Sequence, residues 1–149
     1  MVICKVMSQA TYDDVNLILR LYELRREEKM RAARNWFVAN FKPKSMAEYQ
    51  QLCPAGSEPN AFARQVTSYW DMVSSFVAAG VLNQELVFQN NRELLLVWMR
   101  VEPIIEEIRS AFKDPSYMKN LETVAKAYVD YLNRSNPETA AAFKARVGG

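Results

Sequence analysis

The chain has 149 residues, half of them apolar, which is enough for one domain with a true core and too short to favour two. Its 19 basic and 17 acidic side chains leave a net charge of +2 and make up 24% of the sequence, which excludes a disordered polyelectrolyte and a strongly basic nucleic-acid binder. Histidine is absent, so His-based triads, zinc sites and general bases are excluded, as are the Glu-x-x-His ligands of a di-iron bundle.

Met1 to Met7 is apolar but is interrupted by Lys5 and followed by Ser8, Gln9 and Thr11, so it lacks the apolar stretch of a signal peptide. Residues 1–10 read as an amino-terminal extension. Thr11-Tyr12-Asp13-Asp14 is a helix start, with a capping threonine and two aspartates against the positive end of the helix dipole. From Val15 to Leu24 apolar residues cover most of the helical circumference, which predicts neighbours on more than one side. Arg25 to Arg34 is charged, keeps only Met30, Ala32 and Ala33 as inward candidates, and is laced by Glu27 and Glu28 three to four residues before Arg31. Trp36, Phe37, Val38 and Phe41 return the same long helix to the core, and Pro43 ends it near Lys42.

Ser45-Met46-Ala47-Glu48 is a capping box for a short helix to Leu52, followed by a loop through Pro54, Gly56, Ser57 and Pro59. Asn60 is the expected cap of the next helix, in which Phe62, Val66, Tyr69 or Trp70, Val73, Phe76 and Val77 recur until Gly80. Asn83 caps a short helix through Phe88. A core helix then runs through Leu94 and Trp98 to Val101, and Pro103 kinks it or starts another through Ile104, Ile105, Ile108 and Phe112. Asp114-Pro115 reads as the cap and first turn of a helix lined by Tyr117, Met118, Leu121, Val124, Tyr128 and Leu132, and Asn136-Pro137 repeats the device for a last helix to about Arg146. Residues 147–149 read as a frayed tail. No segment alternates with a two-residue period between hairpin turns, and no repeat period of a solenoid is present. The expected fold is all-α, one domain over residues 1–149, an irregular bundle of five to seven helices with a long, partly charged first helix.

Glu102, Glu106 and Glu107 fall on the polar face opposite Ile104, Ile105 and Ile108 and read as solvated surface, as do the ladders Glu122–Lys126 and Asp130–Arg134. Glu93 precedes the densest apolar run and, if partly buried, needs a partner such as an arginine, commonly a structural pairing. Trp36, Trp70 and Trp98 all lie in helical apolar patterns and read as core. No Gly-x-Gly-x-x-Gly or phosphate-cradling loop is present, and Ser74, Ser75 and Tyr69 lack an activating base, so no catalytic residue, cofactor or metal ligand is assigned. Asn133-Arg134-Ser135 has the form of a glycosylation acceptor, which is chance without export. The two isolated thiols, Cys4 and Cys53, suit a reducing cytoplasm and read as free. The region Val87 to Ile108 carries Arg92, Glu93, Arg100 and Glu102 and is a protein core, not a membrane span.

Four stretches, Asn16-Leu17-Ile18-Leu19-Arg20-Leu21-Tyr22-Glu23-Leu24-Arg25-Arg26, Tyr69-Trp70-Asp71-Met72-Val73, Gly80-Val81-Leu82-Asn83-Gln84-Glu85-Leu86-Val87-Phe88 and Val97-Trp98-Met99-Arg100-Val101-Glu102-Pro103-Ile104-Ile105, resemble a group of small bacterial all-helical proteins, a domain of unknown function. The resemblance implies a helical fold and carries over no catalytic residues. Some of these relatives bear an amino-terminal membrane anchor, which the opening residues here do not match.

The expected function is a cytoplasmic, non-enzymatic interaction module without cofactor or membrane role. It self-associates through the first helix, with Leu17, Leu21, Arg25, Arg26, Lys29 and Arg34 as the interaction residues. One alternative is a nucleic-acid binder that neutralises phosphates through Arg25, Arg26, Lys29 and Arg34. Another is a small-ligand bundle with a pocket around Trp70, Trp98 and Glu93.

Overall fold

The computed structural model describes residues 9–148, and every regular element among them is helical. The order is α1 (Tyr12–Arg25), α2 (Glu28–Asn40), α3 (Met46–Leu52), α4 (Glu58–Ala78), α5 (Gln84–Asn90), α6 (Arg92–Val101), α7 (Ile105–Phe112), α8 (Lys119–Ser135) and α9 (Thr139–Val147), with a 3-10 turn over Glu102–Ile104. The all-α expectation holds. The five to seven helices expected become nine among the described residues, because the first helix divides and the short helices stand as separate elements.

The division falls at Glu27, whose backbone turns extended (φ −57°, ψ 144°). Its carboxylate accepts from the Met30 N–H at 3.0 Å, so Glu27 caps α2 instead of pairing with Arg31. Arg31 donates to the Arg26 carbonyl at 2.9 Å. These residue types favour helix, which is why propensity runs straight through a break made by a side-chain cap. At the start of α1, Thr11 and Asp14 form a capping box.

α4 is the spine, burying Ala63, Val66, Thr67, Trp70, Val73, Ser74 and Val77. It packs against α2 and α8, and α6 closes the core against α4 and α8. Ser57, and not Asn60, caps α4: its hydroxyl accepts from the Asn60 N–H at 3.3 Å, with Pro59 in the first turn where its missing N–H costs nothing. Pro103 ends α6 and leads into α7, as the sequence implies.

Several helix termini are satisfied from across the bundle. Asp114 does not cap α8; its carboxylate closes a turn onto Ser116 (3.0 Å to the N–H), and Met118 adopts a left-handed backbone at φ 56° before the helix begins. The cap comes from α4, where Asp71 accepts from the Leu121 N–H at 3.0 Å. Glu107 on α7 accepts from the Met46 N–H of α3 at 3.2 Å, and Asn133 on α8 accepts from the Ala140 N–H of α9 at 3.3 Å. At the opposite polarity, buried Arg100 donates to the carbonyls of Val38 and Phe41 at 3.1 and 3.0 Å and to that of Val147, gathering the ends of α2 and α9 around one guanidinium.

Cys53 is a buried free thiol, and burial pushes it up to about 11. Cys4 lies outside the described residues. No helix among the described residues is long and apolar enough to cross a membrane.

Glu122 is not the plain surface residue its spacing suggests. Its carboxylate pairs with Arg109 at 3.0 Å, Lys119 at 3.2 Å and Lys126 at 2.9 Å, with its side chain only 13% exposed. Hydrogen bonds from Lys126 first, then from Lys119 and Arg109, hold it down at about 2, against an ordinary value of 4.5. The unfolded chain therefore takes up this proton first on acidification, so the stability Glu122 supplies is complete above pH 4.5 and is lost as pH falls toward about 2. In urea titrations, the wild type's advantage over Glu122→Gln should shrink across that window; parallel stability curves would show that the ion pairs do not act this way.

Candidate functional site

The 14 residues of α1 carry two apolar faces. On the inward face Asp14, Leu21 and Arg25 are buried, and Leu17 and Ile18 are half-buried against the core. The Tyr69 phenol, pushed up to about 12 by burial and so held as a neutral donor, donates to the Leu21 carbonyl at 2.6 Å. Asp14 accepts from the Asn83 N–H at 2.8 Å, tying the start of α1 to the cap of α5. Backbone hydrogen bonds from Thr11 and then Asn83 lower its pKa. On the outward face Tyr12, Val15, Leu19 and Tyr22 stand 79%, 41%, 54% and 47% exposed. They follow one another at steps of three, four and three residues, which aligns them in a single stripe along the helix. Neither leucine named from the sequence belongs to it: Leu21 is core, and Leu17 lies on the opposite, inward side of the helix, half-buried against the core.

The basic residues divide in the same way. Arg34 forms a two-pronged pair with Glu93, at 2.9 Å from Nε and 2.7 Å from Nη2, and donates to the Arg25 carbonyl at 3.2 Å. Arg25 approaches the same carboxylate at 4.0 Å and stacks on Trp70 and Tyr22, with its guanidinium 5.1 and 5.3 Å from the ring centres. Glu93 on α6 thus has the arginine partner that burial demands, and through it α1, α2 and α6 are joined beside the α4 tryptophan. Arg26 and Lys29 remain in solvent, and Arg26 lies 5.5 Å from the Tyr22 ring centre. Tyr22 is therefore an exposed aromatic held by guanidinium contacts from the next turn.

Trp70, Trp98 and Glu93 do not share the cavities described. Trp98 lines an amphipathic groove of about 570 Å³ between α6, α8 and α9, whose floor includes Leu95, Met99 and Ala140 and whose rim carries Lys126, Asp130 and Lys144. Glu93 lines a shallower hollow of about 290 Å³ with Arg34, Arg92 and Phe143. Trp70 is fully buried and lines neither. Among the described residues no group of three or more carboxylate or thiol side chains is placed to hold a metal ion.

The outward stripe could have been recognised in the sequence from its heptad-like spacing. Its separation from the inward face could not, because Leu17 and Leu21 are just as apolar.

The chain belongs to the family described as Domain of unknown function (DUF4760), whose pattern matches residues 10–128, from before α1 to within α8. Both faces of α1 and the Arg25–Arg34–Glu93 cluster lie inside the match; α9 follows it. No curated protein and no solved structure matches the chain.

The cluster should behave as one unit. Glu93→Gln leaves two arginines facing a neutral amide, whereas replacing both partners, Arg34→Met with Glu93→Leu, removes the demand as well as the supply. A double-mutant cycle by denaturant unfolding should give a coupling of about 1–3 kcal/mol between Arg34 and Glu93. Strict additivity would show that the pair is incidental to the seating of α1.

Proposed function

We propose that this chain is a non-enzymatic helical interaction module of the cytoplasm, and that it self-associates through the outward stripe of α1. The observation that carries this reading is the stripe itself: four large apolar side chains aligned in solvent on a helix whose other face already fills the core. Scattered exposed apolar residues are ordinary; an aligned set with tyrosines at both ends and an arginine beside one of them has the composition of an interface anchor. The proposed occupant is a second copy. Reversing one copy sets the positive end of one α1 dipole beside the negative end of the other, which favours a second copy as the partner. The cytoplasmic setting rests on Cys53 as a buried free thiol.

Phosphate contact through Arg25, Arg26, Lys29 and Arg34 has less support, because Arg25 and Arg34 are engaged with Glu93 and the remaining pair is interleaved with Glu23, Glu27 and Glu28.

Sedimentation velocity across a dilution series tests the proposal. The wild type should show a reversible, concentration-dependent dimer, and Leu19→Asp should be monomeric with its helical circular dichroism unchanged, since Leu19 faces water. Leu21→Asp should instead unfold the domain, by placing a charge in the core. A wild type that stays monomeric at the highest concentrations reached, or a Leu19→Asp variant that still dimerises, would overturn it.

A further inference from the structure

We propose a second site, independent of α1: a pocket for a small zwitterion, carboxylate and ammonium on one molecule, between the face of α4 that carries Arg64 and Asp71 and the turn at Tyr117 and Met118 that precedes α8. The cavity there measures about 510 Å³, within the range of about 300–1,000 Å³ that small-molecule sites occupy. Arg64, Thr67, Ser68 and Asp71 line one wall, and Tyr117 and Met118 the other. Positions 64 and 71 share a face of α4 and stand two turns, about 10 Å, apart along its axis. Their opposite charges do not pair. Arg64, exposed at the mouth, makes no ion pair or hydrogen bond among the described residues. Asp71, half-buried, gives one oxygen to the Leu121 N–H at 3.0 Å and leaves the other without a partner among the described residues. A molecule that carries both charges satisfies each of them without bringing a net charge into the cavity.

The Arg64 end is built for the carboxylate. A smaller hollow beside the cavity shares Arg64, Thr67, Tyr117 and Met118 with it and adds Tyr49. Neither the Tyr49 nor the Tyr117 hydroxyl has a hydrogen-bond partner among the described residues. Burial, above all, raises both phenols, and in each case Arg64 is the cation that acts against the rise. They are therefore neutral donors beside a guanidinium, a set that matches carboxylate oxygens. The walls are held by contacts outside the cavity. Arg109 donates to the Tyr117 carbonyl at 2.9 Å, and Phe112 meets the Tyr117 ring edge-on with centres 5.3 Å apart. Met118 takes the left-handed backbone at φ 56°, a conformation that persists in a residue other than glycine only when its surroundings enforce it. Asp71 is fixed by its bond to the start of α8, so Arg64 is the one charged group left to be ordered on binding.

A nuclear magnetic resonance titration of the full chain with δ-aminovalerate, whose charges sit at opposite ends of a short methylene chain, tests the assignment. Saturable amide shifts should map to α4 around Thr67 and Asp71 and to residues 117–121. Valerate, which lacks the ammonium, and pentylamine, which lacks the carboxylate, should each bind about tenfold more weakly. Arg64→Met should weaken δ-aminovalerate about tenfold and leave pentylamine unchanged. Asp71→Asn, which keeps an amide oxygen for the Leu121 N–H, should weaken δ-aminovalerate by about the same factor and leave valerate unchanged. Tyr117→Phe should weaken δ-aminovalerate and valerate alike. Because Arg64 is exposed, its variant keeps the fold and reads the site whatever Asp71→Asn does to α8. Absence of saturable shifts, shifts centred on the groove between α6, α8 and α9, equal binding of the three probes, or an Arg64→Met chain that binds like the wild type would each overturn the site. Sedimentation reports on α1 alone, so the failure of one proposal leaves the other standing.

Discussion

The Glu93 carboxylate decides which side of α1 is left in water. It sits on α6 at the edge of the core, largely removed from solvent, and such an anion is costly unless a cation is held against it. Arg34 on α2 satisfies it with two prongs, and Arg25 at the end of α1 completes the charge balance while lying on Trp70 and Tyr22. These contacts fix the rotation of α1 about its own axis. Once Arg25 is turned inward, Leu21 and Asp14 follow it onto the bundle, and Tyr12, Val15, Leu19 and Tyr22 have nowhere to go but outward. The break at Glu27 belongs to the same arrangement, since a single straight helix from Tyr12 to Asn40 would carry no turn between Arg25 and Arg34.

Buried guanidinium groups serve elsewhere as junctions. Arg100 has four carbonyls converging on it from the ends of two helices, and Arg109 reaches the Tyr117 carbonyl at 2.9 Å while pairing with Glu106 and Glu122. In a fold built from many short helices the number of unsatisfied terminal groups is large in proportion to chain length. Asp71, Glu107 and Asn133 relieve it at amino-terminal ends and Arg100 at carboxy-terminal ends. Polar side chains that would be surface ornaments in a long-helix bundle thus become part of the framework. The framework in turn provides the rigid backing that an exposed anchor such as Tyr22 requires.

Much of this was legible in the sequence wherever the responsible interaction is local. Thr11, Ser45 and Asn83 cap the helices they precede, Gly80 at φ 77° follows the end of α4, and Pro103 separates α6 from α7. Family membership was legible in the same segments. What escaped depends on contacts between distant residues. The cap of α8 comes from Asp71, 50 positions away, so Asp114-Pro115 looked like a cap that it is not. Arg34 meets Glu93 across 59 positions, and without that contact Arg25 and Arg34 read as part of a solvated basic run. The apolar girth of α1 announced two faces, but assigning Leu21 to one and Leu19 to the other needed the phenol of Tyr69 and the guanidinium of Arg25 in place.

What remains exposed after the core has formed is the part of α1 most able to touch another molecule, and that is the substance of the functional reading. Its most direct test is a nuclear magnetic resonance dilution series on the intact chain, following backbone amides along the nine helices of the described residues. Shifts that move with concentration should be confined to the outward positions of α1, centred on Val15 and Leu19, with the residues lining the groove between α6, α8 and α9 unmoved. Spectra independent of concentration, or movement centred on that groove, would contradict it.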